Sequence, residues 1–294
     1  MTNLKGIILA GGSGTRLYPL TRSISKQLMP VYDKPMIYFP IATLMLAGIR
    51  DIAIITTPED QDQFRKLLGD GDQWGLSLTY LVQERPEGLA QAYMLAEDFL
   101  DGDSSLMALG DNIFFGNGLT SILERAAGRR SGASVFAYQV MEPNRYGVLG
   151  FDENGQVNQI VEKPAVPPSN FAVTGLYLFD GTAPAKAARV EKSARGELEI
   201  ASVIQMYLDE GALSVEKLGR GYAWFDTGTH ASLLDAGNFV RTLIERQSVQ
   251  IGSPEEIAFE KGWISSQQLL AQAHSMGSSS YGHYLLELVT ANRP

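Results

Sequence analysis

The densest chemistry in this chain lies at its start. Residues 4–10 are mostly apolar and of strand length, and they run into Gly11, Gly12 and Gly14, with Ser13 and Thr15 among them. Arg16 and Lys26 follow closely. A strand that ends in a glycine-rich turn presents bare backbone N–H groups, and such a concavity binds anions. Two cations behind the turn point to a polyphosphate. A plain tight turn after a core strand is the competing reading of the glycines alone. The dinucleotide fingerprint fails: counted from Gly12, G-x-G-x-x-G meets Gly14 at its third place but Leu17 at its sixth. A Walker P-loop fails as well, since the turn carries no Gly-Lys-Ser/Thr.

Such a loop needs a scaffold, and the pattern behind it alternates helix and strand. Residues 35–48 read as a helix with Pro35 near its start and Gly48 at its end. Residues 52–57, 76–83, 105–109 and 133–140 read as strands, with helices over 59–68, 88–100 and 119–127 between them. Strands spaced by helices imply right-handed crossovers and a mostly parallel sheet with helices on both faces. Ligands then sit outside the carboxyl ends of the strands. After Val140 the pattern changes: 146–151, 157–162 and 172–179 read as strands joined by turn chemistry, an antiparallel insertion beside the main sheet. A helix over 198–208, a strand over 213–217, a long helix over 231–246 and a polar helical tail complete the chain.

Composition narrows the function classes. At 294 residues the chain can bury about three quarters of its unfolded surface, so a substantial core is expected. Cysteine is absent, which excludes disulfides, thiolate chemistry and cysteine-rich zinc sites. His230, His274 and His283 are the only histidines, too few for a histidine-rich metal cluster. A net charge of −9 argues against a general nucleic-acid binder, which needs a basic face. It leaves room for a small anionic substrate held by a few cations. No apolar run approaches the roughly 20 residues that span a bilayer, and the first residues show no signal-peptide pattern. The expected location is the cytoplasm, with no membrane partner.

Seven further motifs follow the loop in order: Asp33-Lys34-Pro35-Met36-Ile37, Gly110-Asp111-Asn112, Tyr146-Gly147-Val148, Glu162-Lys163-Pro164, Thr174-Gly175-Leu176-Tyr177, Arg195 to Ile200, and Trp224 to Thr229. With L-A-G-G-x-G-T-R-L, P-L-T and S-K-Q-L-x-P ahead of them, the chain resembles the sugar nucleotidyltransferases over residues 4–260. It is most similar to the branch that joins dTTP to glucose 1-phosphate. The fold this resemblance implies is α/β, a Rossmann-like, mostly parallel mixed sheet flanked by helices. A small antiparallel sugar-binding insertion and a helical C-terminal segment complete it. Residues 1–250 would form the core, with nucleotide binding in 1–140 and sugar binding in 141–230. Residues 251–294 would make oligomer or allosteric contacts.

The resemblance also assigns residues. Leu9, Gly11, Gly12, Ser13, Gly14, Thr15, Arg16, Gln27, Gln83, Gly88 and Asp111 would bind the nucleotide. Asn112, Tyr146, Gly147, Glu162, Lys163, Val173 and Arg195 would bind the sugar phosphate. Arg16, Lys26, Asp111, Lys163 and Asp226 would be catalytic, with Asp111 and Asp226 holding Mg²⁺. Arg16 suits the β- and γ-phosphates, because a guanidinium fork binds two oxygens. The Gln83 amide offers one donor and one acceptor, which match the O4 and N3–H of thymine. It cannot separate thymine from uracil, a task for an apolar methyl pocket with Leu89. Where the family usually carries serine and aspartate, this chain has Arg85 and Glu87. A homotetramer and feedback inhibition by dTDP-L-rhamnose are further expectations of the resemblance, although residues 267–294 follow the family pattern loosely. The same chemistry with UTP or another hexose 1-phosphate is one alternative. A non-catalytic regulatory copy of the fold is another, disfavoured because every charged motif residue is present.

Overall fold

Strand β1 (Leu4–Leu9) is buried on both faces from Gly6 to Leu9, which is why it reads as a mostly apolar run with only Lys5 charged near its start. The computed structural model describes residues 4–12, 14–129 and 131–291. Along the chain follow β2 (Pro30–Val31), β3 (Lys34–Pro35), α1 (Tyr38–Leu46), β4 (Asp51–Thr56), α2 (Gln61–Leu68), β5 (Ser77–Val82), α3 (Gln91–Leu95) and α4 (Glu97–Leu100). Then come β6 (Ser104–Leu109), β7 (Asn112–Gly116), α5 (Leu119–Ala127), β8 (Ala133–Gln139), β9 (Gly147–Phe151), β10 (Val157–Glu162) and β11 (Phe171–Phe179). The remainder is α6 (Ala183–Ala187), α7 (Ile200–Asp209), β12 (Leu213–Leu218), β13 (Tyr222–Asp226), α8 (His230–Gln247), α9 (Pro254–Glu260), α10 (Ser266–Ser275) and α11 (Ser280–Ala291).

Nine strands form one sheet in the order β10-β9-β11-β6-β1-β4-β5, with β8 on the other edge of β11 and β12 beyond it. The β1–β4, β1–β6, β4–β5 and β8–β12 pairs are parallel, and β11 runs against its neighbours. Helices cover both faces. Ile8, Ile52, Ile54 and Leu106 meet α1, α2, α5 and the C-terminal helices, while Ile7, Leu9, Ile55 and Met107 meet α3, α4, α6 and α7. Each fully buried aliphatic side chain contributes about 1.5–3 kcal/mol relative to exposure, so the alternation along the strands fixes the layers.

The antiparallel strands of the second half do not stand apart; they extend the main sheet. One edge of β11 pairs with β6 through Leu176 to Phe179 and then with β9 at Ala172, while β8 runs along the other edge. Because β6 stops at Leu109, the β9–β10 hairpin takes its place farther along β11. The gap between β6 and β9, floored by Val173, Thr174 and Gly175, opens at the carboxyl ends of the parallel strands.

Three local readings change. The helix expected from Pro35 begins at Tyr38, because Lys34–Pro35 pairs with Pro30–Val31 in a hairpin turned by Tyr32 at φ 61°. The helix expected over 88–100 is two short ones, since Gly88 sits at φ 123° and the chain breaks again at Ala96. The β7–β13 ladder joins two segments that carry no separate strand expectation.

Candidate active site

Two adjoining cavities occupy the carboxyl end of the sheet. The larger, 610 Å³, is lined among others by Leu9, Gly11, Gly12, Arg16, Gln27, Gln83, Gly88, Asp111 and Asn112. Tyr146, Gly147, Glu162, Lys163, Val173, Arg195 and Asp226 line it as well. The smaller, 220 Å³, adds Gly14, Thr15 and Lys26 and shares Gly11, Gly12, Arg16, Gln27 and Asp111 with the first. Every candidate residue from the sequence thus borders one or both of these adjoining cavities except Ser13, which lies outside the described residues.

The glycine loop is built by close approach. Gly14 has φ 56° and its carbonyl accepts from Thr21 Oγ1 at 2.7 Å and from the Leu17 N–H at 2.9 Å. Leu17 is fully buried, which anchors the single helical turn Thr15–Leu17 and leaves Arg16 exposed over the loop. A side chain at Gly11 would come within 2.4 Å of Gln83 Oε1, so only glycine lets that amide lie against the end of β1.

Asp111 follows β6 and Asp226 ends β13. The ladder pairs Asp226 with Asn112, and the Thr227 hydroxyl donates to the Asp111 carbonyl at 2.8 Å, so both carboxylates reach the same wall. Burial raises the pKa of Asp226 above the ordinary aspartate value and the facing Asp111 charge raises it further, against the pull of Lys26 and Arg16. Burial also works against the Asp111 carboxylate, but the ion pair with Lys26 and the hydrogen bonds from Lys26 and Asn112 outweigh it, and its pKa lies below the ordinary value.

Asn112 is more committed to the protein than a sugar ligand needs to be. Its Oδ1 accepts from Trp224 Nε1 at 2.6 Å and from the Gly175 N–H at 3.2 Å, and its Nδ2 donates to Asp111 Oδ1 at 2.7 Å. A Cβ on Gly175 would sit 2.5 Å from Asn112 Oδ1, which explains the glycine in that strand. The Trp224 ring packs on Tyr146 at 5.0 Å between centroids.

At the other end, Glu162 closes β10 opposite Gly147. Consecutive side chains of a strand point to opposite faces. Lys163 escapes this by a left-handed turn at φ 40°, which brings its Nζ to 3.8 Å from Glu162 Oε1. Arg195 lies 3.5 Å from Glu162, 3.3 Å from Glu199 and 2.9 Å from Glu197. Burial raises the Glu162 pKa and the Glu199 charge adds to it, while Lys163 and Arg195 oppose. The sequence reading did not single out Arg145, Glu199 or Gly175 as site residues, though all three line the larger cavity. The Arg195 to Ile200 motif held a signal for Glu199 and the Thr174 to Tyr177 motif one for Gly175, while Arg145 stands in none of the motifs.

A wall that presents backbone N–H groups and two cations, a pair of facing carboxylates, and a second acidic and basic cluster suit the joining of two anions. The Nucleotidyl transferase family model matches residues 5–242. The glucose-1-phosphate thymidylyltransferase of Xanthomonas campestris pv. campestris is 58% identical over 98% of both chains. The enzyme of that name from Neisseria meningitidis serogroup A is 54% identical over 97% of this chain and 99% of its own. A Bacillus anthracis structure with sucrose, assigned to the same enzyme type, superposes with a TM-score of 0.75 at 40% identity, covering 81% of this chain and 96% of that one. A UDP-glucose pyrophosphorylase complexed with UDP-glucose matches in fold, at a TM-score of 0.73 and 21% identity, over 82% of this chain and 99% of that one.

Proposed function

This chain belongs to the nucleotidyl transferase family, and from that premise we propose that it transfers a thymidylyl group from dTTP to glucose 1-phosphate. One phosphate oxygen of glucose 1-phosphate attacks the α-phosphorus of dTTP. The bond from that phosphorus to the oxygen bridging the β-phosphate breaks, and pyrophosphate leaves with the electron pair. The nucleophile is already ionised near neutral pH, so no general base is required. The barrier is charge repulsion and alignment, which fixed cations and oriented N–H groups reduce. The observation that carries this reading is the pair of adjoining cavities that share Gly11, Gly12, Arg16 and Asp111, the smaller bordered by Lys26 and the larger by Glu162, Lys163 and Arg195.

Arg16 clamps the leaving β- and γ-phosphates and Lys26 serves the α-phosphate. Lys163 and Arg195 hold the phosphate of glucose 1-phosphate, while Glu162 accepts from sugar hydroxyls. Asn112, Tyr146, Gly147 and Val173 bound the sugar. Gln83 and Gly88 face the base. The facing Asp111 and Asp226 carboxylates suit Mg²⁺, since a bound cation would relieve both the burial of the Asp226 charge and its repulsion by Asp111, which together raise the Asp226 pKa. Among the described residues no group of three or more His, Cys, Asp or Glu could hold a metal alone. Phosphate oxygens and water would complete the shell, as Mg²⁺ prefers. Bound there, the ion would neutralise charge on the phosphate oxygens.

Residues 1–140 serve the nucleotide, 141–230 the sugar and 251–294 the contacts between subunits of a homotetramer. The product feeds dTDP-L-rhamnose synthesis in the cytoplasm. A separate cavity of 750 Å³, lined by Phe39, Leu46, Phe114, Gln250 and Glu256 among others, would receive dTDP-L-rhamnose as feedback inhibitor. No helix among the described residues is long and apolar enough to cross a membrane. The test is pyrophosphate release across a panel of nucleoside triphosphates and sugar 1-phosphates with Mg²⁺, including dTTP in competition with UTP. Preference for another pair overturns the substrate assignment, and inhibition purely competitive with dTTP overturns the second site.

A further inference from the structure

Gln83, at the end of β5, is almost fully buried, and its amide is oriented from behind. Its Nε2 donates to Oε1 of Gln91, the first residue of α3, at 2.7 Å. The same Gln91 oxygen accepts from the backbone N–H of Glu87 at 3.0 Å. A backbone N–H can only donate, so the Gln91 atom that meets it is the oxygen. That oxygen in turn demands a donor from Gln83. The orientation of the Gln83 amide is therefore set: Nε2 toward Gln91, and Oε1 over Gly11 on the wall of the larger cavity.

Glu87 is itself immobilised. Its carbonyl accepts from the Leu198 N–H at 2.6 Å, the Leu198 carbonyl accepts from the Ala90 N–H at 3.1 Å, and Lys192 Nζ donates to Glu87 Oε1 at 2.7 Å. Gly88 makes this crossing possible, because a Cβ there would stand 2.4 Å from the Leu198 carbonyl oxygen.

A free glutamine amide reads both pyrimidine patterns. With Oε1 toward the base N3 position it accepts from thymine or uracil N3–H. Turned by 180°, it offers N–H to cytosine N3 and its oxygen to the exocyclic amine. Here that rotation would set Gln83 Oε1 against Gln91 Oε1 with no proton between them. Gln91 cannot turn to relieve the clash without presenting its own N–H groups to the Glu87 N–H.

We propose that Gln91 is the specificity-determining residue that excludes cytosine, by holding the Gln83 amide in the one orientation that accepts from N3–H. This rests on the reading of Gln83 as the base contact. Gln91 touches no substrate and acts through Gln83, so it is a positioning residue. Its signature is a change in the ratio between two nucleotides, which a merely structural residue would not move.

The experiment measures kcat/KM for dTTP and for dCTP, each with glucose 1-phosphate, in the wild type and in Gln91→Leu, Gln91→Glu and Gln83→Leu. In Gln91→Leu the dTTP:dCTP ratio falls about tenfold, the worth of one net hydrogen bond. In Gln91→Glu, whose carboxylate still accepts from both donors, the ratio is retained. In Gln83→Leu it falls at least as far. An unchanged ratio in Gln91→Leu alongside a collapsed ratio in Gln83→Leu overturns the role of Gln91 alone. An unchanged ratio in Gln83→Leu overturns the base contact, a separate failure. Gln91→Met keeps the length, lacks the acceptor and carries the same expectation where the leucine variant does not fold.

Discussion

Asp226 faces Asp111 because Asp226 is the ladder partner of Asn112, the residue that follows Asp111. The pairing sets two like charges on one wall, and the Asp111 charge adds to burial, the larger cause, in raising the pKa of Asp226. A divalent cation held there would turn the repulsion into attraction. Asp226→Asn keeps the shape and removes one charge. Its kcat is expected to fall on the order of 10² or more, the scale of losing one transition-state charge stabiliser. Pyrophosphate release at saturating Mg²⁺ measures this, and unchanged turnover would falsify the metal assignment.

Glu162 gives a pH signature with a definite sign. Burial and the Glu199 charge hold its pKa above 4.5, so the folded chain keeps this proton where the unfolded chain has lost it. Stability contributed by this group therefore falls as pH rises from 4.5 through the raised value. Urea midpoints across that window, compared with Glu162→Gln, should show a shallower slope in the variant. Affinity for glucose 1-phosphate is expected to run the other way under the proposed role of Glu162, rising as its carboxylate forms. A calorimetric titration in which affinity does not rise through the same window would remove Glu162 from the sugar site.

Gly88→Ala tests the crossing of the 84–90 and 192–198 segments. The residue sits at φ 123° against the Leu198 backbone, so alanine is both strained and blocked. A loss of about 1–3 kcal/mol is expected from the backbone conformation alone. Denaturant unfolding measures it. KM should rise for both substrates, because Leu89 and Arg195 line the cavity from the two crossing segments. A rise for one substrate only would show the segments to be independent.

Tyr281 ties α11 to the core. Its hydroxyl meets Ser253 Oγ at 2.7 Å and donates to Glu255 Oε2 at 2.5 Å, both in buried surroundings. Tyr281→Phe leaves a buried carboxylate short of a donor and should cost about 1–3 kcal/mol. Thermal and urea melts check it, and a variant as stable as the parent would mean that α11 is held by its apolar face alone.

The loop from Gly11 to Arg16 and the apolar strands were legible in the chain because both are local. A glycine turn after a buried strand can be read without knowing what lies nearby, and a strand buried on both faces is mostly apolar. The family motifs also named Glu162, Lys163 and Arg195 in order. The sequence did not reveal that Lys34–Pro35 would pair as a hairpin, because a helical apolar pattern there competes with a turn at Tyr32 that only φ discloses.

Partnership was settled at the tertiary level. Asp111 and Asp226 meet through a ladder between segments far apart in the chain, and Asn112 turns its amide to Asp111 because Trp224 and Gly175 claim its oxygen. Gln83 faces one way because a backbone N–H at Glu87 fixes Gln91. Residue type sets which hydrogen bonds and charges a group can offer. Which of those offers is taken up, and which is left facing the cavity, depends on neighbours that only the folded chain brings within reach.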